Sequence, residues 1–239
     1  MIKLVTLLKR RDGMTRDEFE QRWKNVHAPM AAVFPGLRGY VLSFSVLPGE
    51  PLADGAAQLW FDDRAGAQRS YASDVGRSGS DDATQYLSRR DHLLVSEKWI
   101  SGFEAAAPKA FKLMIGYRRP HTVTREAYIE AFLNLDEALL RSSLGSDVVR
   151  ICMDEAGQQL NSGVQGDLEL LNCDAVFDAL VEAWYDDAET LMAASEAYQN
   201  SSAHLQLTEN SASNEIFLLR ENVIVEPPEE VQPARLLAG

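Results

Sequence analysis

Residues 2–27, IKLVTLLKRRDGMTRDEFEQRWKNVH, decide the fold of the first half of the chain. The apolar run from Ile2 to Leu8 predicts a strand covered on both faces, and Gly13 ends it. Thr15 and Glu18 have the spacing of a capping box, in which each side chain satisfies a free amide at the start of a helix. Four residues then follow at helical spacing and should share one helical face: Phe19, Trp23, Val26 and His27.

Four further elements follow in the first hundred residues. After the Pro35-Gly36 turn, strands are predicted for 37–46, 56–61 and 93–100, because apolar residues dominate or alternate there. Asp62 or Asp63 should cap a second helix, whose end is left open by the glycine- and serine-rich stretch 78–82. The resulting order, β-α-β-β-α-β, predicts a ferredoxin-like module.

The chain repeats this pattern. At an offset of 109, Lys3-Leu4 matches Lys112-Leu113 and Thr15-Arg16 matches Thr124-Arg125. Further on, the offset is 124, and residues 60–63 (WFDD) match residues 184–187 (WYDD). The 15 extra residues of the second copy should lie in the polar stretch 154–166, as a pocket lid or a plain surface loop. We therefore predict a first module at 1–103, a linker at 104–110, a second, diverged module at 111–226 and a flexible tail at 227–239.

A four-stranded sheet with helices on one side leaves an apolar face that needs a cover. The second copy can supply it. The predicted fold class is therefore α+β, with two ferredoxin-like βαββαβ modules packed sheet to sheet as an intramolecular barrel. Two such barrels could still form a homodimer.

The composition restricts the partners of the protein. A net charge of −13 disfavours binding to nucleic acid or to an anionic membrane surface, because both require a basic patch. No apolar run reaches the length of a membrane span, and the first residues do not have the form of a secretion signal. Neither cysteine, nor any cluster of His, Asp and Glu, has metal-ligand spacing, so no metal is expected. These features predict a cytoplasmic protein that acts on a small molecule.

The motifs quoted above, together with W-x-x-V-H-x-P around His27 and P-G-x-x-G-Y around Tyr40, resemble the EthD-domain family of dimeric α+β barrels. The resemblance covers residues 2–100 and reaches 111–225 through the repeat. It implies a barrel normally built from two chains, here fused into one. Relatives in this family include cofactor-free isomerases, cyclases, dehydratases and decarboxylases. The resemblance also implies that His27 and Tyr40 line a pocket. Broader barrel relatives bind haem, but no segment here matches their proximal histidine.

His27 and Tyr40 are the candidate catalytic residues. Imidazole can both accept and donate a proton at neutral pH, and a phenol can stabilise an oxyanion. The alternatives are a histidine that braces the helix end and a tyrosine that belongs to the core. Six residues are candidates for substrate binding, although aromatic residues at such spacing are often core: Phe19, Trp23, Trp60, Phe61, Trp99 and Asp136. Asp136 and Val149 stand at the positions of His27 and Tyr40 in the second copy, which predicts one active site per chain.

Two functions follow from these residues. The first is a cofactor-independent lyase or isomerase, which abstracts a proton next to a carbonyl of a hydrophobic aromatic or lactone-like molecule. The second is a non-catalytic binding or auxiliary protein of a catabolic or biosynthetic pathway. A haem barrel is the third and weakest reading. The sequence names neither the substrate nor the choice between cleavage, isomerisation, dehydration and decarboxylation, because all begin with the same proton transfer.

Overall fold

The computed structural model describes residues 1–101, 109–162 and 168–228. We call residues 1–101 the N-terminal half and residues 109–228 the C-terminal half. The described strands are β1 (Ile2–Arg10), β2 (Leu37–Ser45), β3 (Gly55–Phe61), β4 (Leu87–Ser101), β5 (Phe111–Arg118), β6 (Val149–Asp154), β7 (Gln158–Ser162), β8 (Leu168–Asp174), β9 (Ala179–Tyr185) and β10 (Ser213–Val225). The described α-helices are α1 (Arg16–Arg22), α2 (Ala28–Ala31), α3 (Arg64–Tyr71), α4 (Asp74–Ala83), α5 (Arg125–Leu133), α6 (Glu137–Leu144), α7 (Ala188–Gln199) and α8 (Ser202–Glu209). The linker predicted at 104–110 and the tail predicted at 227–239 lie outside the described residues, apart from 109–110 and 227–228.

Eight antiparallel strands close into a barrel in this mixed α+β fold. The order is β4-β1-β3-β2 in the N-terminal half and β10-β5-β9-β6 in the C-terminal half. Strand β2 pairs with β10 and β4 pairs with β6, so hydrogen bonds join the halves at both edges. The predicted barrel is therefore present, and its two halves form one continuous sheet around a shared interior core. Closure leaves none of these eight strands as an open edge.

The register repeats between the halves. Lys3 lies opposite Trp60 on β3, and Lys112 lies opposite Trp184 on β9. The offsets of 109 and 124 found in the sequence therefore also describe the strand pairing. They allow each residue of one half to be compared with its counterpart in the other.

Side chains alternate between the barrel interior and the helices that cover its outside. On β1, Val5 and Leu7 belong to an interior core, whereas Leu4 and Leu8 pack outward in the same core as Phe19 and other helical residues. A second outer core lies beneath the helices of the C-terminal half. Such alternation follows from the two-residue period of a strand.

The first helix departs from regular α geometry at the candidate histidine. Thr15 forms the predicted capping box with Glu18. Helix α1 then passes into a π-helical turn at Trp23–His27, where the amide of Ala28 bonds to the carbonyl of Trp23, five residues earlier. The wider turn changes the angular position of the residues after Trp23. Val26 is consequently 44% exposed, and its predicted place on the buried face was wrong.

The insertion in the C-terminal half forms a hairpin of β7 and β8 rather than a plain surface loop. Leu160 of β7 pairs with His92 of β4 and is buried in the outer core of the N-terminal half. The insertion therefore contributes to the packing of the opposite half. Among the described residues, no helix combines the length and apolarity needed to cross a membrane.

Candidate active site

A pocket opens between the outer face of the N-terminal sheet and the helices that cover it. The space between its lining atoms, including the mouth, is about 420 Å³, of which about 40 Å³ can hold the centre of a water molecule. Its wall is largely apolar and aromatic, with a few polar groups that converge on the interior. Concave, mostly apolar sites of this kind bind small ligands. The narrow interior suits a small or flat molecule.

His27 lines this pocket and is held by a carboxylate. Its Nδ1 lies 3.0 Å from Oδ2 of Asp82, and its side chain is 14% exposed. An aspartate at this distance favours the tautomer with the hydrogen on Nδ1. Nε2 has no hydrogen-bond partner among the described residues. The lone pair of Nε2 is therefore left for a ligand.

Asp82 is a functional candidate that the sequence did not predict. It lies in α4, in the glycine-rich stretch whose structure was left open. A Cβ on Gly76 would come within 2.3 Å of the backbone of α3, and one on Gly79 within 2.8 Å of the ring of Phe34. The glycines thus allow α4 to pack close to its neighbours, with Asp82 beside His27.

A second basic residue acts on the same carboxylate. Arg22 pairs with Oδ1 of Asp82, and its guanidinium lies over the ring of Tyr86. The hydrogen bond from His27 and, after the opposing effect of burial, the bond from Arg22 lower the pKa of Asp82. Asp82 is therefore ionised at neutral pH, as a carboxylate that orients an imidazole needs to be.

Tyr40 and Trp23 form a hydrogen-bonded pair in the wall of the pocket. The indole Nε1 of Trp23 donates to the hydroxyl of Tyr40 at 3.1 Å, and both side chains are buried. Since an indole can only donate, the phenolic hydrogen of Tyr40 is not used in this bond. Burial raises the pKa of Tyr40, so the phenol keeps its hydrogen at neutral pH. Tyr40 can therefore donate to a ligand in the pocket.

His92 is a second histidine in the pocket, and the sequence did not predict it as a site residue. Its Nδ1 lies 2.7 Å from Oγ1 of Thr6, its strand neighbour on β1. Burial and, to a lesser extent, the charge of Arg90 lower the pKa of His92 to about 3. This side chain is therefore neutral throughout the physiological range and differs in environment from His27. The pairing of β1 with β4, which are neighbours in the sheet but far apart in sequence, brings His92 to the site. No local sequence motif marks it.

Five of the predicted binding residues lie elsewhere, and Trp23 alone of the six lines the pocket. Phe19 and Phe61 are buried in the outer core, where Phe19 packs against the ring of Trp23. Trp60 and Trp99 contact the charged groups of the barrel interior. Trp60 donates to Glu97, and the guanidinium of Arg150 lies over the ring of Trp99. Asp136 is an exposed helix cap in the C-terminal half that accepts a bond from the amide of Leu139 at 3.0 Å, and it does not line this pocket. Asp63 and Asp187 are also caps, as the sequence predicts for the positions after these strands.

The barrel interior contains a buried charge network. The cations Lys3, Lys112 and Arg150 face the carboxylates of Glu97, Glu182 and Glu221. Although burial alone would raise the pKa of Glu182, the charges of Arg150, Lys3 and Lys112 hold it well below its usual value. Trp60 donates to Glu97 and Trp184 donates to Glu221, both at 2.9 Å.

The same network contains one cluster with the donor atoms of a metal site. Ligand atoms of Glu97, Cys152 and Glu182 lie within 4.8 Å of one another. Lys3 is 3.0 Å from Glu97 and 2.9 Å from Glu182, so a lysine already neutralises both carboxylates. Burial, more than any other influence, raises the pKa of Cys152, whereas a metal-bound cysteine is a thiolate. The cluster therefore does not fit a cation.

The corresponding place in the C-terminal half has a different chemistry. Three pocket residues of the N-terminal half, His27, Tyr40 and His92, correspond to Asp136, Val149 and Ile216. Asp82, which contacts His27, corresponds to Gln206. Thr6 and His92 pair across β1 and β4, and their counterparts Ile115 and Ile216 pair across β5 and β10. The C-terminal half thus keeps the backbone arrangement and lacks these four side chains at the corresponding positions. It has a different polar cluster, in which the hydroxyl of Tyr117 bonds to Tyr198 at 3.0 Å and to Nδ1 of His204 at 3.4 Å.

Comparison with known proteins agrees with these observations. Residues 11–89 match the family model of the EthD domain. The chain contains an EthD domain. This match includes His27, Tyr40 and Asp82, while Thr6 and His92 lie outside the matched residues. No curated protein sequence matches the chain.

Solved structures show the same fold across the whole chain. An anthrone oxidase-like protein is 10% identical, with a TM-score of 0.60 over 99% of this chain and 96% of its own. A candidate monooxygenase from Lactobacillus acidophilus is 9% identical, with a TM-score of 0.54 over 95% and 96% of the two chains. An EthD family protein from Bacillus halodurans is 25% identical over 41% of this chain and 99% of its own, with a TM-score of 0.37. The residues that match the EthD domain, 11–89, lie in the N-terminal half of the barrel.

Proposed function

We propose that the pocket of the EthD domain is the active site of a cofactor-independent lyase or isomerase. Its substrate is a small hydrophobic molecule, aromatic or lactone-like, with a carbonyl group. The observation that carries the proposal is the 3.0 Å contact between His27 and Asp82 at a largely apolar and aromatic pocket. A hydrogen-bonded pair of this type is the usual arrangement of a histidine base, because the carboxylate stabilises the imidazolium that forms.

In the proposed reaction, Nε2 of His27 takes a proton from the carbon next to the substrate carbonyl. The electron pair of the broken C–H bond moves to the carbonyl oxygen and forms an enolate. Tyr40 donates its phenolic hydrogen bond to this oxygen and stabilises the developing charge. The imidazolium then returns the proton to another carbon, which gives isomerisation, or to a leaving group, which gives elimination.

Each chain has one such site under this proposal. We propose that the two halves are copies of one ferredoxin-like module, since they share strand order, register and several identities. The C-terminal copy supplies the edge strands β10 and β6 and the hairpin that buries Leu160 against the EthD domain. Under this proposal it serves as a scaffold, since Asp136 and Val149 stand at the positions of His27 and Tyr40. Association of two fused barrels and a cytoplasmic location remain predictions from the sequence.

A non-catalytic binding protein is the second candidate. The observation that favours it is that the buried hydroxyls of Ser80 and Tyr86 in the pocket have no partner within the described part of the chain. They call for a ligand whether or not a reaction follows. Ligand binding without product after long incubation would support this second function.

The test begins with a thermal-shift screen of small carbonyl compounds, because a ligand that binds the native state raises its melting temperature. Compounds that bind are then incubated with wild-type protein and with His27→Ala. Turnover by the wild type and its loss in a folded His27→Ala variant is the expected result. Full activity of that variant would exclude His27 from the mechanism.

A further inference from the structure

The buried tyrosine hydroxyls of the two halves differ in how they are satisfied. In the C-terminal half, Tyr117 and Tyr198 bond to each other at 3.0 Å. Tyr128 bonds to Ser211 at 2.5 Å, and Tyr185 donates to the carbonyl of Leu144 at 2.7 Å. These four tyrosines therefore meet their hydrogen-bonding needs within the protein.

In the N-terminal half, two buried hydroxyls of the pocket have no partner among the described residues. Tyr86 is 1% exposed and Ser80 is 3% exposed, and both line the pocket with His27. A helical serine commonly bonds to the carbonyl four residues earlier, and Ser80 does not. Buried polar atoms without partners are rare and destabilising. Their presence together at one pocket indicates that a ligand completes them.

Tyr40 adds a third hydroxyl with an uncommitted donor to the same pocket, because its hydroxyl accepts from Trp23. Burial raises the pKa of Tyr40 and of Tyr86, so both are neutral donors at physiological pH. Neutral hydroxyls complete an uncharged oxygen well, whereas a buried anion needs a paired cation. Arg90 also lines the pocket, so an anionic ligand is the competing possibility that a test has to separate.

We infer that Ser80 and Tyr86 bind an uncharged oxygen of the ligand, as a ketone, lactone or phenol oxygen, on the same flat molecule that contacts His27. This inference deepens the proposed function and rests on it only in treating the ligand as a substrate. It means that the substrate has two oxygen functions. One is the reacting carbonyl near His27 and Tyr40, and the other is a recognition group at α4.

Three probes of similar size test the inference on the full chain: toluene without oxygen, acetophenone with a neutral carbonyl and benzoate with a charge. Binding is measured by calorimetry or by NMR titration. We expect acetophenone to bind wild-type protein at least about tenfold more tightly than toluene or benzoate. One or two hydrogen bonds to a neutral oxygen account for a difference in affinity of this size. Tighter binding of benzoate, equal binding of acetophenone and toluene, or no binding of any probe at its solubility limit would overturn the inference.

Substitution of the two hydroxyls locates the effect. Tyr86→Phe and Ser80→Ala should each weaken acetophenone binding by about five- to tenfold and leave toluene binding unchanged. Tyr117→Phe is the matched control, since it removes a hydroxyl that already has a protein partner. It should leave acetophenone binding unchanged. Unchanged acetophenone binding in both pocket variants would contradict the inference.

Stability provides a readout that does not depend on the choice of probe. Tyr86→Phe removes an unpaired buried hydroxyl, so its Tm should equal or exceed that of the wild type, whereas Tyr117→Phe should lower the Tm. A decrease in Tyr86→Phe as large as that in Tyr117→Phe would contradict the inference.

The failure of this inference and the failure of the proposed function give different results. If acetophenone binds more tightly than toluene and benzoate, this preference is lost in Tyr86→Phe, and no compound is turned over, the inference stands and the proposed enzymatic function fails. If turnover is lost in His27→Ala while Tyr86→Phe and Ser80→Ala bind acetophenone as the wild type does, the proposed enzymatic function stands and the inference fails.

Discussion

The N-terminal half and the C-terminal half share strand order and register, yet the first encloses a pocket with polar groups and the second pairs its buried tyrosine hydroxyls internally. Thr6 and His92 face the pocket in the first, and Ile115 and Ile216 occupy the same paired positions in the second. The comparison shows that the backbone arrangement of this fold does not require these polar residues. Their presence in one half therefore points to function rather than to folding.

The largest effect is expected at the carboxylate that orients the imidazole. Asp82→Asn should reduce turnover by about a hundred- to ten-thousandfold, because the amide no longer stabilises the imidazolium and can favour the wrong tautomer of His27. Initial rates with a substrate from the thermal-shift screen measure the effect. Gln206→Ala changes the exposed counterpart in the other half and should leave the rate unchanged. A wild-type rate in Asp82→Asn would mean that the His27–Asp82 pair is structural.

The second prediction concerns the barrel interior, where the halves differ at Gln58 and its counterpart Glu182. Glu182→Gln makes the two positions alike and removes the carboxylate that faces Lys3, Lys112 and Arg150. Breaking a buried ion network in this way should cost about 3–5 kcal/mol in the free energy of unfolding, as measured with urea. Glu50→Gln, at a pair with an exposed carboxylate, should cost less than about 1 kcal/mol. Equal costs would show that the interior charges do not hold the barrel together.

Tyr40→Phe is expected to have an intermediate effect on catalysis. Loss of the oxyanion donor should lower kcat by about a hundredfold while KM changes little, since the bond forms mainly in the transition state. The control is Tyr128→Phe, which removes the hydroxyl that bonds to Ser211 in the C-terminal half and should affect stability alone. A Tyr40→Phe variant with higher KM and unchanged kcat would assign Tyr40 to ground-state binding instead.

The effect that is smallest at neutral pH is a pH dependence that belongs to the N-terminal half. The unfolded chain protonates His92 near its ordinary pKa of about 6.5, whereas the native side chain stays neutral down to about 3. The unfolded state therefore binds more protons in this window, and stability falls as the pH decreases from about 6.5 to about 3. The slope from this residue is at most about 1.4 kcal/mol per pH unit.

The variant that matches the other half isolates this contribution. His92→Ile should flatten the dependence of the urea midpoint on pH between 3 and 6.5, relative to the wild type. Ile216→Val, a conservative change at the counterpart, should leave the slope as it is. An unchanged slope in His92→Ile would mean that His92 is not desolvated in the native state.

The sequence predicts those parts of the fold that depend on local physics. The capping box at Thr15 and the caps at Asp63 and Asp187 were read correctly, because a cap is set by residues three apart. The repeat also predicted the second half and its missing histidine. The π-helical turn at Trp23–His27 was not predicted, because the pattern of apolar residues does not show which backbone carbonyl the amide of Ala28 bonds to.

The site was predictable only where one segment marks it. His27, Tyr40 and Trp23 lie in adjoining elements and all reach the pocket. Asp82 lies 55 residues from His27, and His92 lies 86 residues from Thr6, so tertiary packing alone creates these pairs.

The tryptophans were assigned to the pocket for a related reason. Trp60 alternates with Leu59 along β3, and without the register of the barrel the sequence cannot show which of the two faces the helices. In the structure Leu59 lines the pocket, whereas Trp60 donates to Glu97 in the barrel interior.

The position of a bound ligand tests the difference between the halves most directly. A crystal structure with the most stabilising compound of the thermal-shift screen should show one molecule per chain, between α4 and the N-terminal sheet, within hydrogen-bond distance of His27. A ligand in the barrel interior or beneath the helices of the C-terminal half, with the pocket beside His27 empty, would contradict the account.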